Sequence, residues 1–239
     1  MSLFSKFTFL MKGEQRDLKA RRANAVWVID ERKCLCLAEV QKLRSASIRI
    51  KQSGLMNRKF NQIRDWFMVE LGLNTGLRVS EMASLRHGDL MIDGDRSSLV
   101  VVGKGHKKRA VWLSAGFKKA LNHYLLIKQD FGYDISGDSH LLNNLQGKKI
   151  SKRSLQKSFK GLLAKAGLPS HYHIHSLRHT YTTFLLKASN HNYRFVQRQL
   201  GHASIKTTQI YASVLEDDGK RALDHLYKQY DSRISRQRL

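Results

Sequence analysis

Proline is nearly absent from this chain, with Pro169 the only one in 239 residues. Its ring removes a backbone donor and breaks helices, so such sparse use leaves room for many uninterrupted ones. Cysteine is scarce too. Cys34 and Cys36 stand two apart and cannot staple a domain, and Cys-x-Cys with no further cysteine is a poor zinc pattern. Both read as reduced thiols of a cytoplasmic protein. No apolar run approaches the ~20 residues that a bilayer span needs, so no membrane role is expected. The stretch Phe7-Thr8-Phe9-Leu10-Met11 is too short for a secretory core, and no small-residue cleavage site follows it. Acidic residues are outnumbered: 19 Asp plus Glu stand against 43 Lys plus Arg, a net charge of +24.

What is present is globular in composition, with 41% apolar and 9% aromatic residues. The length suits one or two domains and a sizeable core. A charge excess of this size repels itself unless an anion neutralises it. Nucleic acid is the first partner to consider. A membrane surface is the second, but the cations are spread along the chain rather than gathered in one block.

Residues 1–31 carry Lys12, Arg16, Lys19, Arg21 and Arg22 among few apolar residues, which predicts an extended or loosely ordered basic arm, either a solvated terminus or one that tracks DNA. From about residue 37 a helical period sets in, with Leu37, Val40 and Leu43 spaced for one face. After a break at Gly54, Phe60, Ile63, Phe67 and Leu71 repeat at helix spacing and read as core. Another short helix is expected from Val79, where Ser80 and Glu81 are typical of a first turn. Leu90–Ile92, Ser98–Val102 and Arg109–Leu113 then form β-prone runs, separated by Asp93-Gly94-Asp95 and by Gly103-Lys104-Gly105-His106-Lys107. They predict a three-stranded antiparallel meander. Helical periodicity returns over 115–129, 151–167, 174–189, 193–200, 204–213 and 216–230. The expected class is α+β, mostly α-helical with one small sheet.

Three clusters carry potential chemistry. In Thr75-Gly76-Leu77-Arg78-Val79-Ser80-Glu81 an arginine stands at a glycine turn leading into a helix, a place where guanidinium and backbone N–H donors converge on an anion. In His171-Tyr172-His173-Ile174-His175-Ser176-Leu177-Arg178-His179, the pair His175 and His179 has metal-ligand spacing, but Ser176 stands where the zinc-protease pattern needs glutamate. His175 and Arg178 instead share a helix face and can address one phosphate, with His179 turned partly inward. In Leu200-Gly201-His202-Ala203-Ser204-Ile205-Lys206-Thr207-Thr208-Gln209-Ile210-Tyr211, Gly201 reads as a helix C-cap and Ser204 as an N-cap. Together with Lys104 on a hairpin, these residues form a set suited to phosphodiester transfer without a metal. Two arginines offset charge on the non-bridging oxygens, tyrosine attacks phosphorus, and lysine protonates the leaving oxygen. Lys107, Lys108 and Arg109 read as further phosphate contacts.

The three clusters resemble, in order, the tyrosine recombinase (phage integrase) family: Thr-Gly-Leu-Arg-Val-Ser-Glu at 75–81, His-Ser-Leu-Arg-His-Thr at 175–180, and Leu-Gly-His-Ala-Ser followed by Thr-Thr-Gln-Ile-Tyr at 200–211. The segment from Gly103 to Arg109 is similar to the family's lysine hairpin. The similarity covers about 35–215, and its last motif, His202 followed nine residues later by Tyr211, is highly specific. It implies that Arg78 and Arg178 clamp the scissile phosphate and that Lys104 protonates the leaving 5′ oxygen. It further implies acid–base assistance from His175, a phosphate hydrogen bond from His202, and Tyr211 as the nucleophile that forms a 3′-phosphotyrosyl link. No metal, ATP or other cofactor is then required.

The implied partner is double-stranded DNA, bound by a homo-tetramer on two sites, with an accessory DNA-bending protein or a full-length recombinase as a further partner. The implied location is the cytoplasm, on the nucleoid in a prokaryote. The expected organisation is a basic arm at 1–34 and a catalytic domain at 35–239, whose 213–239 segment forms a C-terminal helix packed in cis or exchanged between protomers. The family's usual helical core-binding domain is not expected, because only about 35 residues precede the similarity. Two rival readings are a type IB topoisomerase-like activity and a non-catalytic DNA-binding regulator. The intact set Arg78, Lys104, Arg178 and Tyr211 counts against the latter.

Overall fold

A computed structural model of the chain describes residues 33–93, 96–103 and 108–201. The expected arm at 1–31, the hairpin residues 104–107 and the helices expected at 204–213 and 216–230 lie outside the described residues. So does the 213–239 segment.

Helix α1 (Leu37–Met56) starts where the Glu39 carboxylate accepts the Cys36 N–H at 2.8 Å, closing its first turn. Val40 and Leu43 are buried, as their spacing predicts, but Leu37 at the outer end is 63% exposed. Gly54 does not break the helix; it lies within it and is buried. A side chain there would run into Gln62 Cβ and the Lys59 carbonyl, so the glycine permits the tight return of the chain into the next helix. Asn57 and Arg58 make the break instead, with Arg58 at positive φ.

Helix α2 (Phe60–Thr75) is the central element, packed against α1 and against three helices further along the chain. Phe60, Ile63, Phe67 and Leu71 are buried as expected. So are Trp66, Met68 and Val69, so apolar residues line most of the circumference, as befits a core helix. Phe67 stacks face to face on Tyr124 with ring centroids 4.0 Å apart. Helix α3 (Val79–Ser84) follows after a three-residue turn, and a 3₁₀ turn at His87–Asp89 leads into the sheet.

The sheet is the expected antiparallel meander, β1 (Leu90–Met91), β2 (Ser98–Val102) and β3 (Lys108–Trp112), in that spatial order. Leu99 pairs with Val111, both fully buried, and Val102 pairs with Lys108 at the mouth of the hairpin. Strand β3 begins one residue earlier than its apolar pattern suggests, because the ladder with β2 continues to Lys108.

Helix α4 (Ala115–Asp130), α5 (Lys152–Lys165), α6 (Ile174–Ala188) and α7 (Tyr193–Leu200) match the expected spans to within two residues. Serine side chains cap two of them: Ser114 accepts from Phe117 N–H and Ser151 from Ser154 N–H. The segment 131–150 between α4 and α5, which has no clear period, is pinned from below. Tyr124 donates its hydroxyl to the Leu141 carbonyl at 2.9 Å, and the buried Lys128 ammonium donates to the His140 carbonyl at 2.5 Å. At the other end of the domain Leu35 is buried and its N–H donates to Thr180 Oγ1 at 2.9 Å.

Candidate functional site

Helix α2 ends at Gly76, whose φ of 60° places it in the left-handed region. A side chain at this glycine would collide with the Tyr181 ring of α6 and with Leu200 of α7. Helix α2 can therefore stop against α6 and α7 only if position 76 has no Cβ, and the turn delivers Arg78 to the N-terminus of α3 at the same place. Arg178, one turn into α6, closes this corner. Its guanidinium donates to the Gly76 carbonyl at 2.6 Å and to the Leu200 carbonyl at 3.0 Å. One buried arginine thus fastens the ends of α2 and α7, the two places from which the first and third motifs depart.

Arg78 is more open than Arg178, its side chain 39% exposed. It is held by Glu81, which accepts the Arg78 backbone N–H at 2.8 Å and one guanidinium N–H at 3.0 Å. Glu81 also receives a two-pronged bond from Arg109 of β3, at 2.9 Å on each oxygen. Burial pushes the Glu81 carboxyl up, but the Arg109 bond, the Arg78 N–H and the two guanidinium charges outweigh it and hold it below the usual range. Arg109 is therefore not a ready phosphate contact: its side chain is 11% exposed and committed to Glu81. A single sequence shows its charge but not the carboxylate that engages it.

His175 sits at the start of α6, half-buried. Burial first, then His173, Arg178 and Arg78, push its pKa down, so it is neutral at pH 7. Both guanidinium charges act on the ring. The structure thus brings together Arg78, His175 and Arg178. His179, one turn further, lies half-buried, and burial and its histidine neighbours push it down to about 4. Among the described residues, no group of three or more His, Cys, Asp or Glu is placed to hold a metal ion. Lys104, His202 and Tyr211 lie outside the described residues. Gly201, the left-handed cap of α7 and the residue before His202, lies against the stem of Arg109.

One further residue builds this corner and carries no sequence signal: Gln199 on α7. Its side-chain amide accepts the Trp112 N–H and donates to the Trp112 carbonyl, each at 3.0 Å, so it bonds to the free edge of β3 as a neighbouring strand would. Its amide also lies 3.2 Å from the Tyr181 hydroxyl. The hairpin strand and the helix before His202 are joined in this way.

Two arginines and a neutral histidine gathered at one corner, on a helical body with one small meander, fit the resemblance to the tyrosine recombinase catalytic domain. The model of the phage integrase family matches residues 38–217, and the chain belongs to that family. Among curated relatives it is 37% identical over 172 residues to the tyrosine recombinase XerC of Actinobacillus pleuropneumoniae serotype 7 (strain AP76), covering 72% of this chain and 52% of that one. It is 36% identical over 170 residues to XerC of Proteus mirabilis, covering 71% and 52%. The chain thus spans about half the length of the curated relatives it matches. Among solved structures, XerH site-specific recombinase bound to palindromic difH substrate superposes with a TM-score of 0.65 at 26% identity, over 80% of this chain and 52% of that one. A lambda integrase dimer bound to a COC′ core site shares the fold, with a TM-score of 0.54 at 20% identity over 74% and 47%.

Proposed function

We propose that this protein is a site-specific recombinase that cuts and rejoins double-stranded DNA through a covalent 3′-phosphotyrosyl intermediate, without metal or ATP. The observation that carries the reading is the convergence of Arg78 and Arg178, 100 residues apart in the chain, on one corner where both charges act on the neutral His175. In a chain of net charge +24, such a corner is suited to a phosphodiester. The XerH site-specific recombinase, bound to palindromic difH substrate in a post-cleavage complex, supports this reading.

In this mechanism Arg78 and Arg178 offset the charge that builds on the non-bridging oxygens. The Tyr211 hydroxyl attacks phosphorus, losing its proton, as the bond to the 5′ oxygen breaks. Ionising a tyrosine at pH 7 costs ~4 kcal/mol, which the positive field of the two arginines offsets. His175, held neutral, accepts or returns a proton. Lys104 protonates the leaving 5′ oxygen, and His202 donates to the phosphate. The phosphotyrosyl bond retains the energy of the broken phosphodiester, so a 5′-OH from a second duplex restores DNA by attacking it. The acting species is a tetramer on two sites in the cytoplasm, on the nucleoid in a prokaryote, with an accessory DNA-bending protein or a full-length recombinase as further partner. Residues 35–239 act as the catalytic domain, and the basic arm at 1–34 adds grip on DNA.

The test is a nicked suicide duplex drawn from the DNA flanking the gene, incubated with wild-type protein and with Tyr211→Phe. Wild-type protein is expected to form an adduct that survives denaturation; Tyr211→Phe forms none and binds with affinity within about 2-fold, because phosphate contacts dominate. Salt-sensitive binding with no adduct would overturn the recombinase reading in favour of a DNA-binding regulator. Relaxation of a plasmid lacking any specific site would favour the topoisomerase-like reading.

A further inference from the structure

The Glu81 carboxylate is saturated. A carboxylate offers about four acceptor positions, and all are taken here. Oε1 accepts Arg78 Nη1 at 3.0 Å and Arg109 Nη1 at 2.9 Å; Oε2 accepts the Arg78 backbone N–H at 2.8 Å and Arg109 Nη2 at 2.9 Å. The Glu81 side chain is 4% exposed, so water cannot take over any position that falls vacant. Arg109 is itself fixed from two other directions: its Nε donates to the Gln199 carbonyl at 3.3 Å, and its stem lies over Gly201.

We infer that Arg109 is a positioning residue which, by occupying two acceptor positions of Glu81, keeps Arg78 singly bound and its remaining donors available for a DNA phosphate. The physical reason is competition. A buried carboxylate facing one guanidinium instead of two draws that guanidinium into a two-pronged pair, the preferred Arg–carboxylate geometry. Arg78 would then turn from the open side of the site toward Glu81, and its charge would be cancelled locally. With Arg109 in place, two guanidinium charges share one carboxylate, and the surplus charge is carried by the more exposed of the two, Arg78, at 39% against 11%. This inference rests on Arg78 being a phosphate ligand, as proposed above.

The experiment is run in the Tyr211→Phe background, so that it reads phosphate contact without cleavage. The salt dependence of binding to a DNA duplex is measured for the parent, Arg109→Met, Arg109→Met with Glu81→Gln, and Arg109→Met with Asp130→Asn. The last variant has the same net charge as the Glu81→Gln double variant but changes an exposed carboxylate paired with Arg58, away from the site. The expected result is that Arg109→Met lowers the slope of log K against log salt by about one. Glu81→Gln restores it, because an amide no longer draws in Arg78, whereas Asp130→Asn does not. An unchanged slope in Arg109→Met overturns the inference. So does failure of Glu81→Gln to restore it, which would make Arg109 itself the phosphate contact, and so does restoration by Asp130→Asn.

Arg109→Lys keeps the charge but cannot fork, and serves if the methionine variant does not fold. With Tyr211 intact it should form adduct about 10-fold more slowly, less than the ~10²–10³ for loss of a transition-state donor, with DNA affinity nearly unchanged. A wild-type rate for that variant also overturns the inference. Should wild-type protein form no adduct while the slopes behave as expected, the recombinase reading fails and the role of Arg109 stands.

Discussion

Arg178 and Lys128 are both cations sealed inside the protein, 6% and 1% exposed, and both give N–H donors to backbone carbonyls. Arg178 bonds to Gly76 and Leu200, residues at the ends of two helices that converge on the site. Lys128 bonds to His140 and Leu141, within the segment that joins α4 to α5, and lies 3.3 Å from the His87 ring. The difference is in what each charge can do. A guanidinium stays ionised when buried, and its planar fork serves two carbonyls while preserving a charge for a third group. The lysine is pushed by burial down to about 8, so near neutral pH it is a hydrogen-bond donor with a labile charge. The first suits a phosphate clamp. The second suits a structural tie.

That contrast can be broken most directly at Arg178. An ammonium cannot span both carbonyls and also face a phosphate, so Arg178→Lys is expected to slow adduct formation by ~10²–10³ in a single-turnover suicide-substrate assay. A near wild-type rate would mean that charge alone suffices there. Lys128→Met, which keeps the stem, should leave adduct formation within about 2-fold. Its cost should fall on folding, by about 1–3 kcal/mol in denaturant titration, because buried carbonyls lose their donor. A cleavage defect as large as that of Arg178→Lys would erase the distinction.

The smallest effects come from titration. His87 and His179 are both lowered from 6.5 to about 4. Burial is the leading cause for each, followed by Lys128 for His87 and His173 for His179. Their unfolded forms take up protons first, so stability present above pH 6.5 is expected to decline as pH falls toward 4. Lys128, lowered from 10.5 to about 8, makes stability rise with pH across that higher window. Chemical denaturation at stepped pH checks both, and in Lys128→Met the upper-window rise should vanish. Its persistence would assign it to another group.

The two regions also differ in how far they can be read from sequence. The helix carrying Arg178 is legible from period and capping alone, as are α2, α4, α7 and the meander, because each follows from local spacing of apolar residues. Lys128 is not legible: it occupies an ordinary position near the end of an amphipathic helix, and only the return of residues 140–141 above it makes it buried. Gly54 misleads in the opposite direction. Glycine marks a break locally, whereas here it marks a close approach between α1 and the chain that follows it.

By itself the sequence determined the helical class with its small sheet, the family, and the identities and order of Arg78, Lys104, His175, Arg178, His202 and Tyr211, because motif spacing and periodicity are local properties of the chain. Only the tertiary structure decided that Arg178 would be buried against the Gly76 and Leu200 carbonyls. It alone decided that Glu81 would be shared between Arg78 and Arg109, and that Gln199 would bond to the edge of β3. Apart from the local bond between Arg78 and Glu81, those pairings join residues 22 to 102 positions apart. Burial makes such polar groups find partners, and which partner each one finds depends on where packing of the whole core brings the chain.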